Sequence, residues 1–259
     1  MSRKTPLFSG SNSPVSPFDK TFKKFKIFVM DLRKRYEDFM DRVRKRAESS
    51  GRNPSDITVV AVSKTFPLEA ILEVFSLGHR DFGENYVQEA KRKIEKINPS
   101  EIKWHMVGSL QKNKVKFMPS LFQWFHALDS IELLNLLSER FEKAGKRLNL
   151  LIQVDFSGKE GRSGIKEEGV LELAKACISK NGVFLKGLMT LPPPPSKPED
   201  SRPFFRRLRE LRDQCIKSGI PSECMKELSM GMSDDFEVAI EEGATILRIG
   251  RAIFGERNV

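Results

Sequence analysis

The sequence predicts one parallel α/β domain, a (β/α)8 TIM-type barrel preceded by an extra helix. Three observations carry this. The chain has 259 residues, close to the roughly 250 that eight strands and eight helices need. Short apolar runs alternate with amphipathic stretches of helical length, the pattern of βαβ units in a parallel sheet. No G-x-G-x-x-G fingerprint follows any of these runs, which favours a closed barrel over an open dinucleotide-binding sheet.

Residues 1–16 are rich in Ser, Pro and Gly and are expected to form a disordered tail. Phe18, Phe22, Phe25, Val29, Leu32, Tyr36, Phe39 and Val43 then recur in steps of four and three. That spacing makes a single apolar stripe along a helix spanning 17–50, which Gly51-Arg52-Asn53-Pro54 ends. The barrel domain is expected to cover 17–257, including this helix. Strands are predicted at 57–63, 79–83, 103–107, 124–128, 148–155, 185–189, 227–230 and 245–249. Helices are predicted at 68–77, 130–144, 167–180, 203–218 and 234–242, and Tyr86 is expected to begin another beside strand two. Pro192–Pro195 forms a stiff extended loop after the sixth strand.

Composition excludes several classes. No apolar run approaches the roughly 18 residues of a membrane span, and the N-terminus has no signal-peptide core; the expected location is the cytoplasm. Cys177, Cys215 and Cys224 form an odd, widely spaced set without C-x-x-C, so neither disulfides nor zinc is expected. His79, His105 and His126 sit at no metal spacing, and no metal is expected. The net charge of +10 is concentrated in residues 1–48, where thirteen Lys and Arg face six Asp and Glu. A basic helix can attract nucleic acid or anionic lipid, with steeply salt-dependent binding; a solvated face of an amphipathic helix accounts for it more simply, and no nucleic-acid partner is expected.

Active sites of such barrels lie at the C-terminal ends of the strands. Lys64 emerges there from the buried run Ile57–Ser63. Desolvation and a nearby cation would lower its pKa and expose a free amine able to condense with an aldehyde. The same position would also suit a lysine pairing with Glu84 or Asp155, and position alone leaves both readings open. The loops after strands seven and eight, Leu228-Ser229-Met230-Gly231 and Ile249-Gly250-Arg251-Ala252, have the small residues and donors of a phosphate cradle. Strand eight closes against strand one, so a lysine beside this cradle suggests a phosphorylated aldehyde as ligand. Arg248, inside strand eight, is either a donor to a ring nitrogen or carboxylate, or one half of a buried ion pair with a partner such as Asp155. Asp234-Asp235 reads as a helix N-terminus. Gly158–Gly164 lacks P-loop spacing.

Several blocks now stand in order: Ala61-Val62-Ser63-Lys64-Thr65, Phe82-Gly83-Glu84-Asn85-Tyr86-Val87-Gln88-Glu89, Trp104-His105 with Gly108-Ser109-Leu110-Gln111-Lys112-Asn113-Lys114, Leu188-Met189, Leu228-Ser229-Met230-Gly231-Met232-Ser233-Asp234-Asp235, and Arg248-Ile249-Gly250-Arg251-Ala252-Ile253-Phe254-Gly255. Over residues 20–257 the chain strongly resembles the pyridoxal phosphate homeostasis protein family, also called proline synthase co-transcribed. The resemblance implies the fold of the alanine racemase N-terminal domain. It implies pyridoxal 5'-phosphate (PLP) held as a Schiff base on Lys64, with Asn85, Ser229, Met230, Arg248, Gly250 and Arg251 as cofactor-binding residues. Ser229 and the Gly250–Arg251 backbone would hold the phosphate, and Arg248 would face the pyridine nitrogen and keep it unprotonated. The ring would then be a poor electron sink. The implied role is intracellular vitamin B6 homeostasis without robust catalysis, with PLP and PLP-dependent apo-enzymes as partners; a monomer is expected. Position 251 is often Ser or Thr in that family, and Arg251 departs from it.

The alternative is a PLP-dependent, racemase-like enzyme. Two-base racemisation needs an acid/base opposite the lysine. The chain holds only Tyr36 and Tyr86 as tyrosines, and no segment after Val259 would supply alanine racemase's second domain. Tyr36 fits the helix stripe, so Tyr86 is the candidate.

Overall fold

The computed structural model describes residues 17–97, 100–158 and 161–256, with side chains from residue 30 onward. The predicted tail at 1–16 lies outside the described residues. Eight parallel strands close into a barrel in sequence order. They are β1 (Thr58–Val62), β2 (Asp81–Glu84), β3 (Lys103–Met106), β4 (Trp124–Leu128), β5 (Leu148–Val154), β6 (Val183–Thr190), β7 (Glu227–Ser229) and β8 (Ile246–Ile249). Closure pairs β1 with β8, placing Val60 against Arg248 and Ala61 against Ile249. Strands of such a barrel are covered on both faces, one by the interior and one by helices. Hence β1 reads as an apolar run, with every residue from Val59 to Val62 buried, and β8 is interrupted only by Arg248.

The connecting helices are α2 (Leu68–Ser76), α3 (Val87–Ile94), α4 (Met118–Leu121), α5 (Ile131–Lys143), α6 (Val170–Ile178), α7 (Arg202–Lys217), α8 (Phe236–Glu241) and α9 (Arg251–Phe254). Ser130 caps α5 by accepting from the Leu133 amide, as its place before an apolar-periodic run predicts. Strand boundaries move by one or two residues. The main consequence is that β2 ends on Glu84 and β7 ends on Ser229.

The extra helix, α1, runs Pro17–Ser49. Leu32, Tyr36, Phe39, Val43 and Ala47 are buried, and the helix packs on α2, α8 and α9. Three of its basic residues face the barrel's acids: Arg33 meets Glu73, Arg42 and Arg46 meet Glu237, and Arg46 also meets Glu241, while Arg44 and Lys45 pair with Asp41 and Glu48 on the helix itself. Arg35 Nε donates to the Ile253 carbonyl near the C-terminal end of α9. The charge concentration is therefore used, in part, to dock the helix. Among the described residues, no helix is long and apolar enough to cross a membrane.

Candidate functional site

A cleft of about 540 Å³ opens at the C-terminal ends of the strands, lined by Lys64, Asn85, Met232, Ser233, Arg248, Gly250 and Arg251 among others. Each wall follows from local chain chemistry. Lys64 and Thr65 form a turn straight after β1. Thr65 has φ +68°, a left-handed conformation that costs a β-branched residue roughly 1–2 kcal/mol. Its amide donates to Glu89 Oε1 at 2.6 Å, which anchors the turn to α3.

Beneath this turn lies a buried polar cluster. Lys93 Nζ donates to Glu84 Oε1 (2.7 Å), Glu89 Oε1 (2.8 Å) and the Ser63 carbonyl (2.7 Å). Ser63 Oγ also donates to Glu84 Oε1, at 2.6 Å. Burial pushes the Glu84 carboxyl above its ordinary pKa, and the Lys93 ammonium opposes part of that rise. The sequence left Glu84 as a possible partner of Lys64; the structure gives Glu84 to Lys93. Lys93 had no signal at the level of strand ends, because it lies two turns into α3.

Asn85 follows β2. Its Oδ1 is buried without a hydrogen-bond partner. Gly108, after β3, packs directly on it: any Cβ there would collide with the Asn85 carbonyl oxygen. An orphan acceptor in a cleft wall fits a donor on a ligand.

Arg248 rises from β8 into the floor. It is 5% exposed, with Nη1 donating to Ser229 Oγ at 2.7 Å and Nη2 to the Thr190 carbonyl at 2.9 Å. Burial brings its pKa down to about 10, so it remains charged at neutral pH. Neither partner is a carboxylate, and Asp155 instead accepts from the Ser157 amide and hydroxyl.

Gly250 caps α9, whose first residue is Arg251. The first amides of a helix have no intrahelical acceptor. The Ala252 amide donates to Ser233 Oγ at 3.1 Å. The Arg251 side chain pairs with Asp234, another residue of the cleft wall.

The structure thus brings Lys64, Asn85, Arg248, Gly250 and Arg251 to one cleft. Ser229 and Met230 are not part of its wall. Both are fully buried, and Ser229 Oγ lies beneath Arg248, bonded to it and to His126 Nδ1. Because β7 ends at Ser229 and Gly231 turns the chain at φ +93°, the residues that reach the cleft are Met232 and Ser233.

The histidines are not isolated. His105 and His126 are buried and 3.0 Å apart, and burial pushes both below the ordinary imidazole range. Each is the third residue of its strand, β3 and β4. The three cysteines are free, and burial pushes Cys177 up to about 12. Among the described residues no group of His, Cys, Asp and Glu could hold a metal ion.

Residues 39–258 match the family model of the alanine racemase N-terminal domain. The chain is 40% identical over 229 residues to the pyridoxal phosphate homeostasis protein of Aquifex aeolicus, covering 88% of this chain and all of that one. The protein of the same name from Pseudomonas aeruginosa is also 40% identical, over 84% of this chain and 92% of its own. Among solved structures, PipY of Synechococcus elongatus with PLP bound is 31% identical, with TM-score 0.73, over 82% of this chain and all of that one. Structures at 12–17% identity, such as the D-threonine aldolase of Filomicrobium marinum (14%, TM-score 0.66), share the fold alone. Barrel, blocks of sequence and matched length agree, and the chain belongs to the pyridoxal phosphate homeostasis protein family.

Proposed function

We propose that this chain binds PLP covalently through Lys64 as a Schiff base and serves intracellular vitamin B6 homeostasis, as a carrier without robust catalysis. The observation that carries this reading is that Lys64, in the turn after β1, and Arg248, from the adjacent strand β8, line the same cleft as the start of α9. Homologues named for PLP homeostasis and a PLP-bound relative support the same ligand.

PLP supplies an aldehyde that condenses with amines and a pyridine ring that can accept electrons. The residues present fit it. The Lys64 amine would take the aldehyde carbon. Gly250, the Arg251 amide and the Ser233 hydroxyl would hold the phosphate, in place of the Ser229 hydroxyl that the resemblance implied. Asn85 Oδ1 would accept from a hydroxyl of the group. Arg248, a buried cation, would disfavour protonation of a ring nitrogen held against it. A ring held in that state is a weak electron sink.

Tyr86, the candidate second acid/base, is 63% exposed at the start of α3 and is not among the cleft-lining residues. Tyr36 is taken up by His79 under α1. Both placements support the carrier reading over a racemase-like one. As part of the same proposal, the chain acts as a cytoplasmic monomer that passes PLP to apo-enzymes.

The absorption spectrum tests the assignment. Wild-type protein is expected to be yellow and Lys64→Ala to lose the Schiff-base band. An unchanged spectrum in that variant overturns it, and racemisation of amino acids at ordinary enzyme rates overturns the carrier reading.

A further inference from the structure

A file of buried polar side chains crosses the barrel interior. Asp81, at the start of β2, has Oδ1 3.1 Å from His105 Nε2. His105 Nδ1 is 3.0 Å from His126 Nε2. His126 Nδ1 is 3.0 Å from Ser229 Oγ, and Ser229 Oγ is 2.7 Å from Arg248 Nη1. The four inner members are at most 5% exposed; only Asp81 reaches water, with its side chain 20% exposed. Five strands contribute one residue each. The file starts at the barrel's N-terminal end and finishes in the cleft floor.

The two ends fix every proton between them. A guanidinium has no acceptor, so Arg248 Nη1 must donate to Ser229 Oγ. An ionised Asp81 has no donor, so His105 Nε2 must carry a hydrogen. A neutral imidazole has one N–H, so His105 Nδ1 must accept, and His126 Nε2–H supplies the hydrogen. His126 Nδ1 is then an acceptor, and the Ser229 hydroxyl donates to it. From the Arg248 end the assignment is the same once the buried serine hydrogen must find an acceptor, and no polar atom is then left over. Burial, which holds both imidazoles below their ordinary pKa, agrees with neutral rings.

We propose that Asp81, His105, His126 and Ser229 are positioning residues: a one-way chain of hydrogen bonds that locks both histidines as Nε2–H tautomers and holds the Arg248 guanidinium in the cleft floor. This rests on the reading that the cleft takes PLP, and extends it to the origin of Arg248's fixed orientation. Arginine has several rotatable bonds and loses much rotamer freedom on burial. The Thr190 carbonyl fixes Nη2, and the chain fixes Nη1. Two of five N–H groups are thereby engaged, and the others remain for the cleft.

The rival arrangement is a doubly protonated His105, which would reverse the half of the chain next to Ser229. It would set His126 Nδ1–H toward Ser229 Oγ, leave the serine hydrogen buried without an acceptor, and place a cation in the core, each unfavourable.

The first test uses the full chain without PLP. Imidazole 15N–1H correlation spectra at neutral pH are expected to show hydrogen on Nε2 and a bare Nδ1 in both His105 and His126. A hydrogen on His126 Nδ1, or two on His105, overturns the proposal whether or not Lys64 holds PLP. The second test compares PLP-loaded His126→Phe, which keeps a ring but no acceptor, with His126→Asn, whose Oδ1 can replace Nδ1 as acceptor. The phenylalanine variant is expected to shift the pH titration of the PLP absorption band and to release PLP about tenfold faster, the factor that corresponds to about 1.4 kcal/mol. The asparagine variant is expected to return both toward wild type. If His126→Phe does not fold, Ser229→Ala takes its place. Wild-type titration and release in the acceptor-less variant overturn the proposal, while Lys64→Ala alone reports on PLP attachment.

Discussion

Lys93 Nζ lies 2.7 Å from Glu84 Oε1, directly under the turn that carries Lys64. The pair is closed off from water, with side chains 11% and 0% exposed. A buried ion pair gains little over an apolar pair of the same shape, but removing one partner strands a charge. Glu84 Oε2 already has no hydrogen-bond partner, so its carboxylate depends on the single bonded oxygen.

Lys93→Met is therefore expected to destabilise the protein by about 3–5 kcal/mol, read from urea denaturation. Adding Glu84→Gln is expected to recover most of that loss, since the amide carries no charge to strand. Equal stability of the single and double variants would show that Glu84 carries no charge once Lys93 is gone.

Acid sensitivity follows from the buried imidazoles. Burial is the first cause of the downward shift in His79, His105 and His126. Asp81 opposes it at His79 and His105, while Arg248 and His105 add to it at His126. A lowered folded-state pKa means that the unfolded chain binds more protons just below pH 6.5. Stability is then unaffected well above 6.5 and falls as pH drops through that value, by up to about 1.4 kcal/mol per pH unit for each histidine. Glu84 works in the opposite direction at lower pH, because its raised pKa lets the folded state take up a proton first. Urea midpoints measured from pH 8 to 5.5 are expected to stay level and then fall; a midpoint that rises on acidification through 6.5 contradicts the buried neutral rings.

How much of this was legible depends on what kind of signal each residue gives. Strand order and barrel closure follow from periodicity, which is why all eight strands fall where the apolar runs predict. Lys64, Gly250 and Arg251 could be picked out by position because they follow strand ends, where such a fold puts its site; Asn85 came through the family resemblance, and Arg248 stood out because a cation inside a strand needs a partner. Ser233 was passed over because it lies four residues beyond β7, on a loop whose course is set by the Gly231 turn at φ +93°. Lys93, His105 and His126 were missed for a different reason. Their partners are 9, 21 and 103 residues away, and a single sequence carries no record of which distant side chains meet inside a barrel.

The docking of α1 separates two kinds of contact. Phe39 is 2% exposed and packs on Phe236 at 4.9 Å between ring centroids, so Phe39→Ala is expected to cost about 3–5 kcal/mol. The Arg42–Glu237 pair, with side chains 55% and 32% exposed, is solvent-screened, and Arg42→Ala is expected to change stability by less than about 1 kcal/mol. Thermal melts of the two variants check the contrast. A larger loss from Arg42→Ala would make the basic face, rather than the apolar stripe, the main anchor of the helix.

Thr65 is the remaining point of strain. Its φ of +68° is held by the Thr65 amide's bond to Glu89, and its side chain is exposed, so no packing compels threonine there. Glycine adopts this conformation without the Cβ clash, which relieves roughly 1–2 kcal/mol, but it widens the unfolded ensemble and returns about 0.5–1 kcal/mol of that gain. Thr65→Gly is thus expected to fold as well as wild type or up to about 1.5 kcal/mol better. The same freedom loosens the turn that aims Lys64. Strain kept at a turn beside a reactive group is explained if it holds that group in place, so the glycine variant is expected to keep its Schiff-base band while exchanging PLP faster. A stabilised variant with wild-type exchange would sever the strain at Thr65 from the placement of Lys64.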